Sequence, residues 1–146
     1  MIQNRIVSTE NIIIMNEITN FIIQISKKHH YDENLSCPNE FYSKNIPSIT
    51  IREYLHRFIQ YCNLEGSTIL ISLIYMDRFC EINQVKLTKF NIYRILMISL
   101  TLALKYNEDT IYKNDFYAKV GGVGLQDFNK KEKVYLDSIH FSICRL

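Results

Sequence analysis

Ten consecutive residues without a charge, Ile95 to Leu104, stand between Arg94 and Lys105 and limit what this chain can fold into. The run is about half of the roughly 20 residues that a membrane span needs. Dominated by Ile, Leu, Met and Ala and bracketed by cations, it reads as a buried helix of a soluble domain. Ser99 and Ala103, one helical turn apart, are small contacts that let a neighbouring helix come close, and Thr88 is placed upstream to cap the helix start. With 146 residues, 47% of them hydrophobic and 22% charged, the chain can close one core without disulfide or metal staples.

Helical spacing recurs elsewhere. From about Ser8 to Lys28, Ile12, Ile13, Ile18, Phe21, Ile22 and Ile25 fall at helix-like intervals among Asn, Glu and Gln. Residues 27–46 then change to loop chemistry, with His29, His30, Asp32, Asn34, Pro38, Asn39, Ser43 and Asn45. Thr50-Ile51-Arg52-Glu53 is a capping box, in which the threonine hydroxyl and the glutamate carboxylate satisfy free amides at a helix start. The helix it opens is predicted to run to about Tyr61, with Ile51, Tyr54, Leu55, Phe58 and Ile59 as its apolar stripe, and to end at 63–66. A further helix begins near Ser67 and is apolar nearly all round from Ile69 to Ile82, which predicts packing on several sides and a central place. A short helix over Asn114 to Val120 stops at Gly121-Gly122, and an amphipathic one covers Leu125 to Ser138 before a tail from Ile139 to Leu146. No stretch alternates with period two and no repeat is present, so the predicted class is all-α.

Charge excludes some functions. The 17 basic and 15 acidic residues interleave along the chain, so no nucleic-acid footprint is visible, and the aromatics sit at core spacing instead of between Lys and Arg. Cys37, Cys62, Cys80 and Cys144 lie far apart and read as reduced thiols of a cytosolic or nuclear protein. Residues 1–14 lack the layout of a secretion signal. Val120-Gly121-Gly122-Val123-Gly124 has no Lys-Ser/Thr ending and no preceding strand, so it reads as a helix stop and not a phosphate loop. His29 and His30 have no third ligand near them in sequence, and Glu108-Asp109 reads as a surface pair. No catalytic residue, cofactor or metal is therefore expected. Lys105 leaves two readings open: a cation snorkelling onto the carbonyls of its own helix end, worth about 0.3–1 kcal/mol, or a binding anchor.

Several spaced words resemble the cyclin box. Pro47-Ser48-Ile49-Thr50-Ile51-Arg52-Glu53-Tyr54-Leu55 is similar to the start of its first helix, and Tyr75-Met76-Asp77-Arg78-Phe79 to the Y-x-D-R-F/L end of its second. Asn91-Ile92-Tyr93-Arg94 and Leu102-Ala103-Leu104-Lys105-Tyr106 resemble N-x-H-R and L-A-S-K-F/Y of the third, with Tyr93 for histidine and Leu104 for serine. Asn114-Asp115-Phe116-Tyr117-Ala118-Lys119-Val120-Gly121-Gly122-Val123 matches the N-x-x-Y-A-K-V-G-G-I/V word of P-type (phosphate-pathway) cyclins, the most specific of these. Phe128-Asn129-Lys130-Lys131-Glu132 is similar to the L-N-x-L-E opening of the fifth helix, and the likeness runs on to Ile143.

The resemblance implies an all-α cyclin-box bundle of about five helices at 47–146, preceded by an N-terminal helix and linker at 1–46. It implies a regulatory subunit, not an enzyme, that binds and activates a cyclin-dependent protein kinase, with no nucleic acid or membrane partner and a cytoplasmic or nuclear place. In the family a lysine of the third helix and a glutamate of the fifth grip the kinase near its αC helix; these are Lys105 and Glu132 here, with Tyr106, Leu136, Phe141 and Ile143 as companion contacts. A scaffold or adaptor that keeps the fold without activating a kinase is the alternative. Lys131 stands where an apolar residue is usual, Ser48 where many cell-cycle members have arginine, and Glu53 where they have aspartate. The chain ends soon after the fifth box helix, so no second repeat is expected within it, whether the protein has one box or this sequence is a piece of a longer one.

Overall fold

The computed structural model describes residues 9–28 and 39–143, with every regular element a helix. In chain order these are α1 (Thr9–Lys28), a single 3-10 turn (Asn39–Phe41), α2 (Ile51–Cys62), α3 (Gly66–Asn83), α4 (Ile92–Asn107), α5 (Asn114–Gly121) and α6 (Leu125–Ile143). Cys37, Cys144, His29 and His30 lie outside the described residues.

Local chemistry sets most boundaries. At α2 the Glu53 amide donates to Thr50 Oγ1 at 3.1 Å and the Thr50 amide to Glu53 Oε2 at 3.2 Å, completing the capping box. The helix ends at Asn63, whose φ of 53° is one that asparagine tolerates. α5 ends in a Schellman turn, Val123 N–H to Ala118 O at 2.9 Å and Gly122 N–H to Lys119 O at 3.2 Å, with Gly122 at φ 75°. Gly121 is needed for space: a methyl there would overlap the Met97 sulfur of α4, while its carbonyl accepts from Tyr54 OH at 3.0 Å. The glycine cluster is thus a helix stop and a close helix contact.

Two boundaries differ from expectation. Regular helix α4 starts at Ile92, one turn after Thr88, because a preliminary turn forms first. The Thr88 amide donates to Asn91 Oδ1 at 2.8 Å, and Asn91 Nδ2 donates to the Lys86 carbonyl at 2.9 Å. α6 continues past Ser138 to Ile143.

The central helix is α4, not α3. Every side chain from Ile95 to Leu104 is buried, and α4 packs against α2, α3, α5 and α6. α3 packs on α4, α6 and α1 but leaves Leu70 and Ile74 about half exposed, at 48% and 53%. Apolar character all round a helix requires only that each face meet something apolar or remain unpartnered, and α3 keeps one such face open. Ser99 is where α6 comes close: its hydroxyl donates to Ile95 O at 2.7 Å and therefore accepts from Tyr135 OH at 2.6 Å. The Tyr135 ring stacks on Phe79 at 4.4 Å, and Phe41 of the 3-10 turn closes the group at 4.9 Å from Phe79. All three rings are fully buried, which docks the turn against α6. α1 is clamped to α2 by the Arg52 guanidinium, which donates to Asn16 Oδ1 at 3.0 Å and Asn20 Oδ1 at 3.4 Å.

Candidate functional site

The last turn of α4 meets the first turn of α5 and the middle of α6, and a closed polar ring forms there. Lys105 Nζ donates to Glu132 Oε2 at 2.7 Å and to Asn114 Oδ1 at 2.6 Å. Asn114 Nδ2 donates in turn to Glu132 Oε1 at 3.1 Å and to Asn129 Oδ1 at 2.8 Å. The ammonium also lies over the Tyr117 ring, 5.8 Å from its centre, a cation–π contact. Burial pushes the Tyr117 phenol up to about 12, so that ring stays neutral, and its hydroxyl accepts from the Tyr112 amide at 2.9 Å. The lysine and glutamate side chains remain 25% and 15% exposed. The pair is neither a solvated surface bridge nor a buried one, and a partner can still reach it.

Around this ring, Leu136 lies one turn beyond Glu132 on α6, half-buried against the core. Tyr106 is 72% exposed and touches Tyr75 of α3 edge-on at 6.3 Å. Phe141 and Ile143 fall in the last turn of α6, and their side chains lie outside the described residues. Sequence reasoning missed Asn114 and Asn129 as members of the ring. The available signal was that each is the asparagine of a family word, N-x-x-Y-A-K and L-N-x-L-E.

The substituted positions have structural consequences. Tyr93 donates its hydroxyl to Ile49 O at 2.6 Å, tying the start of α4 to the entrance of α2, and Leu104 joins the core. Lys131 does not face Glu132: it is only 5% exposed and its ammonium reaches Asp127 Oδ1 at 2.6 Å on the other flank of α6. Glu108 corrects the surface reading of the acidic pair. Asp109 is exposed, but Glu108 has a buried oxygen without a hydrogen-bond partner among the described residues, and burial with the nearby Glu65 carboxylate pushes its carboxyl up to about 7. Its neighbour Cys62, a free buried thiol, is pushed up to about 12 by burial and then by Glu108.

Among the described residues no group of three His, Cys, Asp or Glu could hold a metal ion, and no helix is long and apolar enough to cross a membrane.

A family model described as Cyclin matches residues 1–143. The chain is 36% identical over 104 residues to Cyclin-U2-1 of Arabidopsis thaliana, covering 70% of this chain and 47% of that protein. It is 32% identical over 144 residues to PHO85 cyclin-7 of Saccharomyces cerevisiae, covering 90% and 50%. It is 30% identical over 103 residues to Cyclin-P3-1 of Oryza sativa subsp. japonica, covering 70% and 44%. The chain spans about half the length of these curated relatives. Because the match runs through every helix from α1 to α6, the chain belongs to the cyclin family and carries a cyclin box of the P/U type.

Proposed function

We propose that this box binds a cyclin-dependent protein kinase through the Lys105–Glu132 face and switches it on, doing no chemistry itself. The carrying observation is that the two charges lie 2.7 Å apart and part-exposed, with Tyr106 projecting next to Lys105 and Leu136 one turn from Glu132. An ammonium has three N–H donors, and among the described residues Glu132 and Asn114 take two, leaving one for a partner's carbonyl. Charge fixes orientation, while Tyr106 and Leu136, together with Phe141 and Ile143, contribute the apolar burial at roughly 25 cal/mol per Å² before ordering costs. Activation is a population shift: favouring the active kinase by about 5.5 kcal/mol moves it from 1:99 to 99:1. Similarity to proteins named as cyclins supports this reading.

The test is capture of kinases from the source cell by the wild-type chain and by Lys105→Ala/Glu132→Ala, with kinase activity measured on each eluate. Active kinase recovered by wild type alone is the expected result. Kinase recovered without activation, or none recovered by folded wild type, favours the scaffold or adaptor reading.

A further inference from the structure

α6 presents two polar flanks. Asn129, Glu132 and Leu136 share one; Asp127, Lys130 and Lys131, spaced i, i+3 and i+4, share the other. That second flank faces Glu40 of the 3-10 turn, Tyr42, Ser43 and Lys44 just after it, and Arg94 of α4, across a cleft of about 390 Å³. We propose that this cleft binds a phosphorylated serine or threonine carried on a protein segment.

Four cations line the cleft against two carboxylates. Asp127 is engaged by Lys131 at 2.6 Å, and Glu40 lies 4.0 Å from Lys130. Among the described residues, Lys44 and Arg94 have neither an ion-pair partner nor a side-chain hydrogen-bond acceptor, so their charges are available to a ligand. Lys131 adds a feature that a solvated helix flank does not need. Its side chain is almost wholly buried, yet its ammonium has three N–H donors and one acceptor among the described residues. Spare donors on a buried cation favour an incoming anion over further desolvation. Arg94 supplies a planar fork that matches two oxygens of a phosphate, and the lysines supply point charges around it.

The same residues indicate that the phosphate arrives on a protein. Ser43, Lys44 and Arg94 also line an adjoining cleft, which adds Arg57 and has no carboxylate in its wall. Its apolar lining includes Ile46, Pro47, Ile49, Tyr54 and Tyr93. A free ion has no use for that extension, whereas residues flanking a phosphorylated side chain do.

The experiment is a titration of the ¹⁵N-labelled full chain at low salt with three probes: the peptide acetyl-Gly-Leu-phosphoSer-Leu-Gly-amide, its unphosphorylated form, and inorganic phosphate. Saturable shifts of the Lys44, Arg94, Lys130 and Lys131 amides with the phosphopeptide are expected, with the serine peptide silent and inorganic phosphate about ten-fold weaker. Lys44→Ala/Arg94→Ala is expected to weaken phosphopeptide binding about ten-fold with an unchanged melting temperature, and Lys44→Gln/Lys130→Gln repeats the test with Arg94 intact. Lys119→Ala, on α5 outside the cleft, is expected to bind as wild type does. No saturable shift at the four residues, or undiminished binding by both double variants, overturns the site. Equal affinity for inorganic phosphate overturns the protein-borne assignment.

Discussion

A double-mutant cycle on Lys105 and Glu132 separates what the pair does for the fold from what it does for a partner. At 2.7 Å the gross attraction is about 6 kcal/mol at an effective dielectric near 20. Desolvation of two part-buried groups cancels most of it. Neither group is orphaned when the other is removed, because Asn114 still accepts from Lys105 at 2.6 Å and donates to Glu132 at 3.1 Å. The expected cost is therefore about 1–2 kcal/mol for Lys105→Met or Glu132→Gln alone, between the values for exposed and buried pairs. The double variant should cost less than the sum of the two, with a coupling of about 1–2 kcal/mol, read from urea unfolding followed by circular dichroism at low and high salt. A coupling under about 0.3 kcal/mol would mean a solvated pair and refute the ring as a structural unit; a single-variant loss above about 4 kcal/mol would mean a fully buried one. Tyr106→Ala completes the design. At 72% exposure it should leave stability within about 0.5 kcal/mol while lowering kinase capture, and unchanged capture would contradict the proposed interface.

Three further outcomes follow from particular residues. The Glu108 carboxyl, raised from 4.5 to about 7 by burial and by Glu65, favours the protonated form in the folded chain. The contribution of this carboxyl to stability is fully present below pH 4.5 and is lost as pH rises through about 7, so Glu108→Gln should flatten that window and stabilise the chain above it by about 1 kcal/mol after screening, measured as melting temperature against pH. Gly121→Ala should destabilise by about 1–3 kcal/mol through overlap with Met97, and an unchanged urea midpoint would show that α5 does not approach α4 as closely as described. Gln84 ends α3 at φ 52°, a conformation that costs a side-chain-bearing residue about 1 kcal/mol, so Gln84→Gly should raise the urea midpoint, and an unchanged or lowered midpoint would show that this helix end carries no such strain.

Much of the molecule is decided within a turn or two of chain and is therefore legible without the fold. The Thr50–Glu53 capping box, the stop at Gly121-Gly122 and the all-helical class rest on contacts three or four residues apart. The lysine and glutamate positions were legible too, through words shared with a family and not through any local physics. Rank in the packing was not legible. Hydrophobic periodicity orients a helix about its own axis but does not count its neighbours, so α3 and α4 look alike in sequence while only α4 is enclosed. The polar ring joins residues up to 27 positions apart and exists only once the first turn of α5 meets the end of α4 and the middle of α6. The same tertiary arrangement sends Lys131 to the opposite flank from its neighbour Glu132, because adjacent residues on a helix diverge by about 100° and only packing settles what each direction meets.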